Sequence, residues 1–139
     1  MKRRVLILCT GNSCRSQMAQ GIFTELGNQD WESYSAGTQP AGYVHPLAIE
    51  VMGEIGIDIS ENVSEGVELY ENENWDLVIT VCGDARESCA VLNHARVHLH
   101  WPFADPADGS GDDPQLVTEF RRVRDQIYAR VTGYLENPA

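Results

Sequence analysis

The stretch RVLILCTGNSCRSQMAQ, residues 4–20, constrains the fold more than any other part of the chain. Residues 4–9 form an apolar, β-branched run of the kind found in a strand buried on both faces. A glycine and small polar residues follow at once, and from Ser13 to about Leu26 the apolar positions Met18, Ile22 and Leu26 repeat with helical spacing. Such a strand needs covering on both sides. A strand leading through a tight loop into a helix is the opening of a βα unit, which pairs its strands in parallel.

The remaining residues continue the alternation. Residues 32–37 (ESYSAG) read as a second strand closed by glycine. Residues 45–56 (HPLAIEVMGEIG) read as a helix with Pro46 in its first turn and Gly56 after its end. Residues 58–74 read as a loop with a short, weaker helix, for which Ser60 is a candidate cap. WDLVITVC (75–82) is a second strong strand, GDARESC (83–89) a helical turn or two, and RVHLHW (96–101) a short strand. After a Pro/Gly/Asp loop at 102–114, a long amphipathic helix over 114–135 carries Leu116, Phe120, Val123, Ile127, Val131 and Leu135 on its inner stripe. The expected architecture is one α/β domain over residues 1–139, a three-layer α/β/α arrangement around a four-stranded parallel sheet.

The balance of charge narrows the partners. The formal net charge of -11 argues against a nucleic-acid surface, which needs clustered Lys and Arg, and against docking on an anionic membrane. Exposed charges are screened beyond about 8 Å, so a local positive pocket can still take an anion. The apolar run Val5–Cys9 is too short for a signal-peptide core, and no stretch approaches the roughly 20 apolar residues of a membrane span. The cytoplasm is the expected location. Four cysteines are then expected to be reduced and to act as catalytic thiols or metal ligands. Their C-x4-C and C-x6-C spacings do not match structural zinc sites. His45, His94, His98 and His100 are scattered and read as surface or packing residues.

The loop after the first strand is an anion-site candidate. The free N–H groups of a helix start converge there, and the helix dipole adds about half a positive charge. Thr10, Gly11, Asn12, Ser13, Cys14, Arg15 and Ser16 would surround the anion, with Gly11 and Asn12 suited to left-handed conformations. Arg15 offers a planar fork for two oxygens of a tetrahedral oxyanion. Ser13 is a candidate donor to the anion or to a thiolate. Gln17 reads as a first-turn helix residue and Cys14 as a buried structural thiol. Helix starts and nearby arginines favour thiolates, so Cys9 is the expected nucleophile.

Parallel strands end at one edge, so Cys82 is expected to approach Cys9. Cys89 follows Cys82 by seven residues, two helical turns and about 10.5 Å along an axis. A disulfide needs Cα atoms roughly 4.4–6.8 Å apart, so direct bonding of this pair requires the turn to unwind. Asp105 precedes Pro106, which favours an extended backbone at Asp105 and makes its carboxyl group a candidate acid; Asp-Pro is equally a common turn pair.

Taken together, CTGNSCRSQMA, SAG (35–37), VITVC, Cys89, HWPFADPA (100–107) and FRRVRDQI (120–127) resemble the thioredoxin-coupled arsenate reductases of the low-molecular-weight phosphatase fold. Low-molecular-weight tyrosine phosphatases share the C-x5-R-S loop and the Asp-Pro, but typically carry an aromatic residue where this chain has Ala107. The Cys82/Cys89 pair is the distinguishing feature. The resemblance implies that Cys9 attacks arsenate, Asp105 protonates the departing oxygen, Cys82 then attacks Cys9, and Cys89 attacks Cys82. The final Cys82–Cys89 disulfide is reduced by thioredoxin or a glutaredoxin-like dithiol. No cofactor is expected, and a monomer is the default expectation for a chain of this kind. The alternatives are a phosphatase using the same Cys9 and a thiol redox sensor. Some members bind potassium at positions matching Asn12, Gln20, Ser35 and Glu65. Glutamine at position 20 replaces the family's glutamate and removes a charge that a hard cation favours, leaving Asn12, Ser35 and Glu65 as candidate ligands.

Overall fold

In the computed structural model, residues 2–81, 95–107 and 114–137 are described. Four strands, β1 (Arg3–Cys9), β2 (Trp31–Gly37), β3 (Trp75–Thr80) and β4 (Ala95–His100), form one sheet in the order β2-β1-β3-β4, with every neighbouring pair parallel. The helices are α1 (Arg15–Gly27), α2 (Pro46–Gly53) and α3 (Pro114–Glu136), with a 3-10 turn at Val67–Leu69. The expected α/β class, the four parallel strands and the strand positions all match the structure. The helical turns expected at 83–89 lie outside the described residues.

Period-two alternation divides the sheet's side chains between two cores. Val5, Ile7, Leu77 and Ile79 face one way, where α1, α2 and α3 bury Met18, Ile22, Phe23, Val51, Met52, Phe120, Val123 and Ile127 against them. Leu6, Leu8 and Val78 face the other way and pack with Ala36, Val67 and Trp75. Among the described residues, the helices therefore cover one face. The other is covered by the segment around the 3-10 turn, where Tyr34, Tyr70 and Trp75 meet edge to face or tilted.

Several local expectations change. Leu26 shares the arc of Met18 and Ile22 but lies in the last turn of α1 and stays 37% exposed. Helix α1 ends through Asn28 in a right-handed conformation rather than on a left-handed glycine; Gly27 instead leaves room for Trp31 and Leu135. Helix α2 begins with Pro46, as expected, but stops at Gly53, and the chain turns at Gly56 with φ 81°. The helix foreseen within 58–74 is the single 3-10 turn, which has no side-chain cap. Ser60 does not cap it; its N–H donates to the Asp58 carboxylate at 2.8 Å.

Gly21 sets how closely α1 approaches its neighbours. A Cβ there would stand 2.7 Å from Ile59 Cγ2 and 3.2 Å from Met52 Cε, and both of those side chains are fully buried. Gly133 in α3 has open space around it. In urea unfolding, Gly21→Ala is expected to lower stability by about 1–3 kcal/mol through overpacking, despite its better helix propensity. Gly133→Ala is expected to raise stability by about 0.5–1 kcal/mol.

Candidate active site

Cys9 closes β1 and is 3% exposed. The loop from Cys9 to Cys14 carries six carbonyl groups, and each accepts a hydrogen bond. Cys9 O takes Thr38 N–H at 3.3 Å, Thr10 O takes Gln39 N–H at 2.9 Å, and Gly11 O takes Ala41 N–H at 2.8 Å. Asn12 O takes the Gln17 side chain at 3.1 Å. Ser13 O takes His45 N–H and Cys14 O takes Met18 N–H, both at 2.9 Å. In a trans peptide the C=O of one residue and the N–H of the next point in opposite directions. Anchoring the carbonyls of residues 9–14 thus turns the amides of residues 10–15 to the other side of the ribbon. Amides left without carbonyl partners at a helix start are candidate donors to an anion.

Asn12 holds this shape. Its φ of 49° lies in the left-handed region, which Asn tolerates better than most residues; Gly11, the other residue expected there, does not use it. Asn12 is fully buried and its side-chain amide is completely used. Nδ2 donates to Ser16 Oγ at 2.8 Å and Ser35 Oγ at 3.0 Å. Oδ1 accepts from Glu65 N at 2.8 Å and Gln17 Nε2 at 3.1 Å. The loop is also pressed against β2. A Cβ at Gly37 would meet Thr10 O at 2.5 Å and Asn12 N at 3.1 Å, so only glycine fits where β2 ends.

The other loop thiol has a different setting. Cys14 is 5% exposed, and burial pushes its thiol up to about 12, against the contact from the Ser13 hydroxyl 3.6 Å away. The expectation of a buried structural thiol at Cys14 agrees with this, and its contribution to the loop is its backbone. The Ser13 hydroxyl faces Cys14.

Arg15 is the first residue of α1, and its side chain crosses to the segment after β4. Its Nη1 donates to Phe103 O at 3.1 Å and its Nη2 lies 4.0 Å from the Asp105 carboxylate. The Arg15 Nε is buried and has no partner among the described residues. Asp105 is half exposed and its Oδ1 accepts from Ala107 N at 3.0 Å, which fixes the carboxyl group in a turn beside the guanidinium. Arg15, at the start of α1, and Asp105, after β4, therefore lie beside one another. Cys82 and Cys89 lie outside the described residues. The chain does leave β3 beside the loop: Leu8 pairs with Thr80, and Val81 N–H donates to Leu8 O at 3.0 Å, one residue before each cysteine's position in sequence, Cys9 and Cys82.

Four residues contribute more than sequence reasoning assigned. Gln17 is fully buried and braces the loop, donating to Asn12 and to Val63 O at 2.8 Å while accepting from Asn62. Ser16 is fully buried against Asn12. Ser64 donates to Gly11 O at 3.2 Å. His45 is a joint rather than a surface residue, as its bond to Ser13 indicates. The available signal was weak: a glutamine one turn ahead of a glycine on the packed side of α1.

Asn12, Gln20, Ser35 and Glu65 do meet, but they do not form a cage for a hard cation. Asn12 presents an N–H to Ser35, the Ser35 hydroxyl donates to Gln20 Oε1, and the Glu65 carboxylate accepts the Tyr70 hydroxyl. These polar groups satisfy one another with hydrogen bonds where a cation would need converging oxygen lone pairs.

The comparisons with known proteins agree with this geometry. The family model for low molecular weight phosphotyrosine protein phosphatase matches residues 4–138. The arsenate reductase of Halalkalibacterium halodurans is 43% identical over 135 residues, covering 97% of this chain and 96% of that protein. A solved arsenate reductase in the phosphate binding state aligns with a TM-score of 0.81 and 34% identity, covering 100% of both chains. The thioredoxin-dependent arsenate reductase of Corynebacterium glutamicum aligns at 0.70 and 26% identity, covering 97% of this chain and 61% of that one. The match over residues 4–138, with 43% identity to an arsenate reductase along nearly the whole chain, identifies the chain as a member of the low molecular weight phosphotyrosine protein phosphatase family.

Proposed function

We propose that this chain is a cytoplasmic, monomeric arsenate reductase working through Cys9, Cys82 and Cys89. The observation that carries the proposal is the orientation of the loop over residues 9–14, whose carbonyls are all tied away from the amides. Arsenate has the shape and charge such a cradle accepts, and the Arg15 fork adds a fixed positive charge. Identity to curated arsenate reductases over nearly the full chain supports the substrate.

Cys9 sulfur attacks As(V). An S–As bond forms, an As–O bond breaks, and Asp105 delivers the proton with which that oxygen leaves as water. Cys82 sulfur then attacks Cys9 sulfur. The S–S bond forms as the S–As bond breaks, and the electron pair stays on arsenic, which departs as arsenite. The pairing of Leu8 with Thr80 supports this step, because the end of β3, two residues before Cys82 in sequence, lies beside the end of β1. Cys89 next attacks Cys82, freeing Cys9 as a thiolate. The Cys82–Cys89 disulfide is reduced by thioredoxin or a similar dithiol through exchange. Two thiols supply the two electrons, and the third carries the oxidised state out of the pocket.

Three measurements test this reading. Thiol titration after anaerobic incubation with arsenate is expected to show two thiols lost per arsenate reduced, and none in Cys9→Ser; unchanged thiols in the wild type would refute the reductase. With thioredoxin and its reductase, Cys89→Ser is expected to complete about one turnover and stall, whereas sustained cycling at the wild-type rate removes Cys89 from the mechanism. Asp105→Asn is expected to lower kcat by roughly 10²-fold or more, the usual range for losing a general acid.

A further inference from the structure

His45 stands at the junction of three parts of the molecule. Its backbone N–H donates to Ser13 O in the anion loop at 2.9 Å. Its ring Nδ1 accepts from Leu47 N at 3.1 Å and so caps α2. The ring also lies 4.8 Å, centroid to centroid, from Phe120, a fully buried residue of α3. The strap that leads to it, residues 38–45, supplies four of the donors that hold the loop carbonyls: Thr38, Gln39, Ala41 and His45. Along the strap Gly42 N–H also donates to Ser64 Oγ at 3.1 Å, and where the chain enters α2 it is held by the His45 N–H on Ser13 O and by the imidazole cap on Leu47 N–H.

That cap exists in one protonation state. A ring nitrogen that accepts from Leu47 N–H carries no proton, so the proton of the neutral ring sits on Nε2. An imidazolium has two N–H groups and no acceptor; it would oppose the Leu47 N–H and add positive charge at the positive end of the α2 dipole. Burial also favours the neutral ring, against the pull of Asp105. The charged group that acts on the ring is Asp105, from the segment after β4. From α3 the ring meets uncharged Phe120.

We propose that His45 is a positioning residue for the oxyanion site: its neutral imidazole locks the start of α2, and with it the Ser13 carbonyl, so proton uptake by the ring loosens the loop and weakens oxyanion binding. The inference rests on the reading of the loop as an oxyanion site but not on arsenate reduction. The sign follows from the neutral form being the one that caps. The contribution is complete above the ordinary histidine range, near 6.5, and fades as the pH falls below it.

The test is the affinity for inorganic phosphate, measured by titration calorimetry at pH 7.5 and pH 5.0 on wild type, His45→Asn and His45→Ala. Asparagine caps a helix without titrating in this range. Free phosphate titrates alike in all three experiments, so differences between the proteins report the loss of the ring. The wild type is expected to lose about fivefold more affinity than His45→Asn on going to pH 5.0, and His45→Ala to bind about fivefold more weakly than either at pH 7.5, the scale of one lost cap. Identical pH profiles for wild type and His45→Asn, or an unchanged affinity in His45→Ala, would overturn the role of His45 alone. Failure of the wild type to bind phosphate at either pH would remove the oxyanion site and this inference together.

Discussion

The structure depends on the direction in which six consecutive peptide groups face. Between Cys9 and Cys14 the chain has no repeating hydrogen-bond pattern of its own, so nothing local decides where its carbonyls point. The decision comes from outside: from the strap after β2, from Ser64, and from Gln17 and Met18 of α1. Once every carbonyl has a partner, the amides have no choice of side. In the proposed oxyanion site these dipoles would act within a protein whose net charge is -11. A few oriented dipoles and one arginine at close range outweigh a diffuse negative surface that salt largely screens.

The sheet supplies the rigidity behind that loop. β1 lies between β2 and β3, so both of its edges are bonded and its end cannot drift. On one side Gly37 admits the Thr10 carbonyl to a distance that no side chain would allow. On the other the β1–β3 ladder runs to Leu8 and Thr80 and is extended by Val81. A register slip of one residue would exchange the two faces of β3 and bury the wrong set of side chains, so the alignment of the strand ends is as secure as the core itself.

Much of this could be read in advance because it is local. The apolar run of β1, the glycine-bearing loop, Arg15 and the Asp105-Pro106 pair are contiguous signals; β1 forms where the run predicts it, and Arg15 and Asp105 lie together in space. What escaped is the set of supports whose meaning exists only in three dimensions. Ser64 is 53 positions from the carbonyl it holds, and Gln17 is bonded to a residue 46 positions away. His45 looked like a scattered histidine because its partners, Ser13 and Phe120, belong to other elements. Leu26 failed for the opposite reason: its periodicity was right, but in the last turn of α1 it stays 37% exposed while Gly27 beside it meets Trp31 and Leu135. Asn12 was placed correctly in the left-handed region, yet its four side-chain hydrogen bonds follow from burial that periodicity does not reveal.

The setting of Cys14 has a consequence for the fidelity of the chemistry. Two sulfurs sit five residues apart in one loop, and a bond between them would be a dead end. Exchange runs through the thiolate, and a group displaced to about 12 holds roughly one part in 10⁵ of that form at neutral pH. The dehydrated interior therefore acts as insulation. In the proposed relay it silences the sulfur nearest to Cys9 in sequence without removing it.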